Sequence, residues 1–233
     1  MRNILFLFCY ILLLYKLDSC APLQAEQLQP TKKLSVIECK SSGNAGYYVI
    51  LFTGNGGWRP LVKSIAQYLN SKNISVLAIN TEKYLHNEKR PGQIACDLED
   101  LMVQYKNKWG MGKVVFMGYS MGAEVLPFAV NNMADKYKND IMDLVLIAPW
   151  QKAEFKDKLA YHFFDTDNGA DIYTELKKLQ SNKPYIICDD SKFSICLKDI
   201  DGLDGHDFLA GGHHFGGDYA AISKLIGIRL RLE

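Results

Sequence analysis

Val114-Val115-Phe116-Met117-Gly118-Tyr119-Ser120-Met121-Gly122-Ala123-Glu124 is an apolar run that ends in Gly-Tyr-Ser-Met-Gly. A helical pattern follows at once, from Ala123 to about Met133. The pattern G-x-S-x-G alone arises often by chance. Between a strand and a helix it reads as a nucleophile elbow, a strained turn that lifts a serine hydroxyl clear of a sheet edge. Gly118 and Gly122 then leave room where strand and helix cross. The turn would aim the backbone N–H of Met121, and the positive end of the following helix, at the place where an acyl-transfer oxyanion forms.

On either side of the elbow the chain alternates strands and helices. Leu34 to Cys39 alternates apolar and polar residues, as a first or edge strand does. Tyr47 to Thr53 and Ile74 to Asn80 are continuous apolar runs, suited to strands buried on both faces of a parallel sheet. Between them, Leu61, Val62, Ile65, Ala66 and Leu69 fall at helical spacing. The polar loop Thr81 to Arg90 leads to Pro91, which opens a helix to about Trp109. Lys113 to Gly118, Asp143 to Ala148, Pro184 to Cys188 and Asp207 to Ala210 supply further strands. Gln151 to Asp171 is irregular and reads as a small insertion beside the site. Ile172 to Leu179 is a short helix, and Asp218 to Leu232 a closing one. The expectation is an α/β fold, a mostly parallel central sheet with helices on both faces. Ligands bind such sheets outside the carboxyl ends of the strands.

Three strand-end loops should therefore converge with the elbow. The first is Gly54-Asn55-Gly56-Gly57-Trp58. It lacks the Gly-Lys-Ser/Thr of a phosphate loop and the spacing of a dinucleotide fingerprint. It suits a second oxyanion N–H, from Asn55. The second holds Asp189 and Asp190, and the third is Gly211-Gly212-His213-His214. The order serine, acid, histidine is that of α/β-hydrolases. A serine hydroxyl needs a base, and a carboxylate fixes the tautomer of that base. His213, directly after the glycines, is preferred over His214, which would order the loop or contact substrate. Asp190 is preferred over Asp189 for its distance past the strand. Trp58 and Tyr119, beside these loops, are candidate substrate contacts. His86, His162 and His206 lie in polar stretches and read as surface residues.

The chain has 233 residues and a net charge of +1. That suits one domain and gives no ground for nucleic-acid binding. Arg2 and Asn3 precede the apolar run Ile4 to Tyr15, which fits a signal-peptide core better than a membrane span. Leu17-Asp18-Ser19-Cys20 is similar to a bacterial lipoprotein signal, in which Cys20 would carry the lipid. A cleaved signal without lipid and an uncleaved anchor are the alternatives. The division is a signal over 1–20, a tether over 21–33 and one domain over 34–233, outside the cytoplasm. Cys39, Cys96, Cys188 and Cys196 remain in that domain, and Cys188 and Cys196 are close enough in sequence to bridge one loop. No C-x-x-C pair suggests zinc, and no cofactor or metal is expected.

Gly54-Asn55-Gly56-Gly57-Trp58-Arg59, the Tyr84 loop leading to Arg90-Pro91, Gly118-Tyr119-Ser120-Met121-Gly122-Ala123-Glu124-Val125-Leu126-Pro127-Phe128 and Gly212-His213-His214-Phe215-Gly216-Gly217-Asp218-Tyr219 together resemble the bacterial virulence protein VirJ family, from about Tyr47 to the C-terminus. The resemblance implies an exported α/β-hydrolase-like domain, linked to hydrolysis of aminoacyl esters on membrane phospholipids and to type IV secretion. It implies that Ser120 attacks the aminoacyl carbonyl and that Glu124 faces a cationic substrate amine. A helix-terminal carboxylate favoured by the dipole is the other reading of Glu124. Two departures stand out: Asn55 replaces the family's usual Asp, and the Cys188 to Cys196 loop differs from its usual acid loop. The expected function is an esterase on an acyl or aminoacyl ester, with an aminoacyl ester of a membrane phospholipid as the substrate the resemblance implies. Its rivals are an envelope binding or assembly protein that keeps the fold, and a thioesterase or peptidase using the same residues.

Overall fold

A computed structural model describes residues 34–156, 169–179, 183–198 and 205–232. The signal and tether readings fall outside these residues, as does His162. The elements in chain order are β1 (Val36–Cys39), β2 (Tyr47–Phe52), α1 (Pro60–Ser71), β3 (Ser75–Ile79), α2 (Thr81–Tyr84), α3 (Pro91–Trp109), β4 (Lys113–Tyr119), α4 (Met121–Asn132) and α5 (Asp135–Lys138). Then follow β5 (Ile141–Ile147), β6 (Lys152–Ala153), β7 (Ala170–Asp171), α6 (Ile172–Leu176), β8 (Tyr185–Cys188), β9 (His206–Phe208) and α7 (Tyr219–Leu230).

Among the described residues the main sheet has the order β1-β3-β2-β4-β5-β8-β9. Every neighbouring pair is parallel except β1 and β3. The continuous apolar runs follow from burial on both faces. In β2, Tyr48, Ile50 and Phe52 enter one core and Val49 and Leu51 the other. β4 divides in the same way, with Val114 and Phe116 on one side and Val115, Met117 and Tyr119 on the other. α3 and α4 cover the first face through residues such as Leu98, Met102 and Val125. α1 and α7 cover the second through Val62, Ile65, Ile222 and Ile226.

Three expectations of local structure change. The loop after β3 opens with the single turn α2, because the Asn80 side chain caps it by accepting from Lys83 N–H at 3.1 Å. A helix of one turn shows no apolar period; its signal is the capping residue. The helix after the elbow begins at Met121 rather than Ala123, directly after Ser120. The stretch after β5 contains β6 and β7, paired antiparallel into a short ribbon. Cys188 and Cys196 form a disulfide with 6.0 Å between Cα atoms. Among the described residues no helix is long and apolar enough to cross a membrane.

Candidate active site

Ser120 sits between β4 and α4 at φ 53° and ψ −126°. A non-glycine residue pays strain in that region, and such strain persists only where its surroundings enforce it. The enforcement is visible. A Cβ on Gly118 would meet the Gly122 carbonyl at 2.5 Å, and one on Gly122 would meet the Thr53 carbonyl oxygen at 2.5 Å. The elbow is also tied to the sheet, where Ser120 N–H donates to the Ile147 carbonyl at 2.9 Å.

His213 lies in the 3-10 turn Gly212–Gly217. Its Nε2 is 2.8 Å from Ser120 Oγ, and its Nδ1 is 2.7 Å from Asp189 Oδ2. Serine, imidazole and carboxylate thus form one continuous hydrogen-bonded chain. Asp189 is fully buried. Burial alone would push its pKa up. The hydrogen bond and charge of His213, with the Ser191 and Ser194 hydroxyls, outweigh burial and hold the carboxyl below its ordinary value.

The acid on the histidine is therefore Asp189, and the expectation of Asp190 is corrected. β8 ends at Cys188, and successive side chains at a strand end point to opposite sides. Asp189 turns in toward His213. Asp190 is exposed, and its Oδ1 accepts from Gly212 N–H at 2.6 Å. It holds the backbone of the histidine turn instead of the ring.

His213 is the residue that meets Ser120, as the glycine spacing suggested. His214 is engaged elsewhere, with its Nδ1 2.7 Å from the Tyr119 hydroxyl. The same hydroxyl lies 3.0 Å from the His213 carbonyl oxygen. One arrangement satisfies both contacts: the phenol donates to the carbonyl and accepts from His214 Nδ1–H. Tyr119 also stacks on the His213 ring, with centroids 5.6 Å apart. His86 and His206 are exposed.

The Gly54 turn abuts the elbow. A Cβ on Gly54 would come within 3.3 Å of Ser120 Cβ and 3.0 Å of the Tyr119 ring. That packing brings Asn55 to the same loop cluster as Met121, the first residue of α4. Trp58 is partly buried and packs against the core that includes Tyr119. Glu124 is 7% exposed, and its Oε1 accepts from Trp150 N–H at 3.4 Å. Burial, and to a lesser degree the charges of Glu154 and Asp189, push its pKa up to about 8, against a lowering by the Trp150 hydrogen bond.

Trp150 was not picked out by sequence reasoning. Its indole N–H approaches His213 Nδ1 at 3.1 Å, and its ring is 5.1 Å from the imidazole. One ring nitrogen cannot both donate to Asp189 and accept from Trp150. The shorter, charge-assisted contact with Asp189 takes the proton, which leaves the indole as a wall of the site. The position of Trp150, at the end of an apolar strand neighbouring the elbow strand, was the available signal. No cluster of three or more His, Cys, Asp or Glu residues suited to a metal ion occurs among the described residues.

Residues 47–232 match the family described as bacterial virulence protein (VirJ). No curated protein matches the chain significantly. Similar solved structures include Est1E from Butyrivibrio proteoclasticus with ferulic acid bound, 11% identical with a TM-score of 0.56, covering 85% of this chain and 96% of that one. The proline iminopeptidase of Mycobacterium smegmatis is 8% identical with a TM-score of 0.62, covering 84% and 93%. A CIB-like hydrolase from Thermoplasma acidophilum is 17% identical with a TM-score of 0.58, covering 84% and 92%. At such identities these likenesses establish the fold, which is that of the α/β-hydrolases.

Proposed function

Because the chain belongs to the VirJ family of bacterial virulence proteins, we propose that it is a serine esterase that cleaves an acyl or aminoacyl ester outside the cytoplasm. The observation that carries this reading is the unbroken contact from Ser120 through His213 to Asp189. A protein that only binds has no need of a strained serine, a base and a buried carboxylate in line.

In the first step His213 Nε2 takes the Ser120 proton as Oγ attacks the ester carbonyl. Asp189 keeps the other imidazole proton on Nδ1 and stabilises the imidazolium. The backbone N–H groups of Asn55 and Met121 hold the tetrahedral oxyanion, and only backbone groups are needed, so the Asn at 55 is compatible with that role. The intermediate collapses, the C–O bond to the alcohol breaks, and His213 returns its proton to the leaving oxygen. Water, deprotonated by His213, then attacks the acyl-serine and releases the acid. The substrate we favour is an aminoacyl ester of a membrane phospholipid, and a lipid on Cys20 would hold the domain beside it. No cofactor enters these steps.

The experiment is fluorophosphonate labelling of the purified domain, comparing wild type with Ser120→Ala and His213→Ala. Stoichiometric labelling of wild type, lost in both variants, is the expected result. A folded wild type that fails to label would count against the esterase and favour an envelope binding or assembly role. Release of a free amino acid from aminoacyl-phospholipid vesicles then tests the substrate.

A further inference from the structure

Asp189 leaves β8 directly after Cys188, and Cys188 is bridged to Cys196. The carboxylate that meets His213 thus lies inside a covalently closed loop whose ends have a sequence separation of 8. Other partners of that carboxylate lie inside the same loop. The Ser191 hydroxyl donates to Asp189 Oδ1 at 3.0 Å, and the buried Ser194 hydroxyl also hydrogen-bonds the acid. His213 is the partner that comes from outside it.

The two ends of the loop differ. Cys188 is fully buried and stands opposite Phe208 in the β8–β9 ladder, where its carbonyl accepts from Leu209 N–H at 3.0 Å. Cys196 is partly exposed, in the 3-10 turn Ile195–Leu197. Near that end, backbone bonds from Gln151 to Phe193 and from Ile195 to Pro149 dock the chain on the loop after β5. Between the ends, Asp190 and Lys192 are exposed. A short exposed loop regains conformational freedom once a tie across it is cut. The bridge is poorly suited to stapling the whole fold, because such staples gain most by joining distant segments and this one joins near neighbours in sequence.

We propose that Cys188 and Cys196 are a positioning pair for the acid: oxidised, they hold Asp189, Ser191 and Ser194 in the arrangement that meets His213, and reduced, they let it open and slow hydrolysis while the fold remains. The proposal rests on the esterase reading above and makes that activity conditional on an oxidising environment. The switch is thiol–disulfide exchange. A dithiol attacks Sγ of Cys196, at the accessible end, the S–S bond breaks, and Cys188 leaves as a thiolate that takes up a proton. The second thiol of the reductant then displaces Cys196 from the mixed disulfide, and that thiolate is protonated in turn. Two electrons and two protons pass to the protein, the dithiol becomes a disulfide, and a disulfide oxidant runs the exchange in reverse.

The test measures the rate of fluorophosphonate labelling before and after treatment with dithiothreitol, which is removed before the probe is added. Alkylation and mass measurement of an aliquot show that the bridge has opened, and circular dichroism shows whether the protein stays folded. Wild type, Asp189→Asn, Ser120→Ala and the double variant Cys188→Ala/Cys196→Ala are compared. Reduction should slow wild type by about 10–100-fold, the cost of a reacting group displaced by about 1 Å, and oxidised glutathione should restore the rate. The double variant should label at the reduced wild-type rate with or without dithiothreitol, which separates this bridge from other cysteines. In Asp189→Asn, where the positioned acid is gone, reduction should cost about twofold or less, because the two changes act on one element. Full-rate labelling of wild type with the bridge open would overturn the proposal. So would an equal loss in Asp189→Asn, or unfolding on reduction, since the bridge would then serve the fold and not the acid. Oxidised wild type that labels no faster than Ser120→Ala would overturn the esterase reading, and the positioning role with it.

Discussion

Asp189→Asn and Asp190→Asn are isosteric changes in adjacent residues, and the geometry assigns them very different costs. Asp189 is fully buried, with Oδ2 2.7 Å from His213 Nδ1 and Oδ1 3.0 Å from the Ser191 hydroxyl. As a carboxylate it can only accept, so the imidazole proton stays on Nδ1 and the lone pair of Nε2 faces Ser120. An amide in its place can present its NH2 to Nδ1. The ring then carries its proton on Nε2 and cannot take the serine proton; with the amide turned the other way, the imidazolium still loses its counter-charge. The expected fall in kcat is about 10³–10⁴-fold, equivalent to about 4–5.5 kcal/mol of barrier. Asp190 is exposed; beside a long 3.4 Å contact from Gly211 N–H to Oδ2, its Oδ1 accepts from Gly212 N–H at 2.6 Å. Asn keeps a carbonyl oxygen there, so the expected loss is about fivefold or less, or about 1 kcal/mol. The assay is hydrolysis of a p-nitrophenyl ester alongside the rate of fluorophosphonate labelling, with thermal melts to show that both variants fold. Equal losses in the two variants, or a larger one in Asp190→Asn, would refute the assignment of Asp189 as the acid on the base.

Tyr119→Phe keeps the ring stacked on His213 but removes the hydroxyl that meets His214 and the His213 carbonyl. We expect a loss of about 5–20-fold in labelling rate, and a double variant with His214→Ala no worse than either alone, because both changes open one clasp; additive losses would contradict it. Breaking the Cys188–Cys196 bridge, which spans a sequence separation of 8, should lower stability by about 2.5 kcal/mol on the chain-entropy model. A calorimetric comparison of Cys196→Ser with wild type checks this, and an unchanged melting temperature would show that the bridge constrains nothing. Glu124 gives the pH prediction. Its pKa rises from an ordinary 4.5 to about 8 on folding, mainly through burial. The native state therefore binds the extra proton between those values, and stability falls as pH rises through that window, by up to about 5 kcal/mol in total. Wild type should lose stability relative to Glu124→Gln from pH 5 to 8 in chemical denaturation; parallel curves would show that the carboxyl is well solvated or paired.

The fold was legible where one periodicity ruled. β2 and β4 are uninterrupted apolar runs because both of their faces are covered, and α3 begins at Pro91 and ends at Trp109 as its pattern indicates. Ser120 and His213 were legible because each needs special backbone on its approach, and glycines mark that in sequence. The acid was not. Asp189 and Asp190 are chemically identical in the chain, and what separates them is which way each side chain leaves the end of β8. That depends on the last residue paired in the ladder, which composition does not reveal. Trp150 and the Tyr119–His214 contact were hidden for a related reason, since they join residues far apart in sequence through loops that no local pattern orders.

Those same contacts explain how loops can hold Ser120, His213 and Asp189 in line at all. Displacing a reacting group by about 1 Å can cost on the order of 100-fold in rate, and the three residues in line come from three separate segments. Each segment is tied to another by a group outside the reacting chain. Asp190 bonds the backbone of the histidine turn. Tyr119, next to Ser120, bonds the same turn from the other side. The acid loop is closed by Cys188–Cys196 and pairs with the loop after β5 through Gln151 N–H to the Phe193 carbonyl at 3.0 Å and Ile195 N–H to the Pro149 carbonyl at 3.0 Å. The residue that sequence favoured as the acid thus has a task one step removed from chemistry. It fixes the turn so that His213 can reach Asp189 and Ser120 together, and its loss should appear as looser positioning of the base, not as its wrong tautomer.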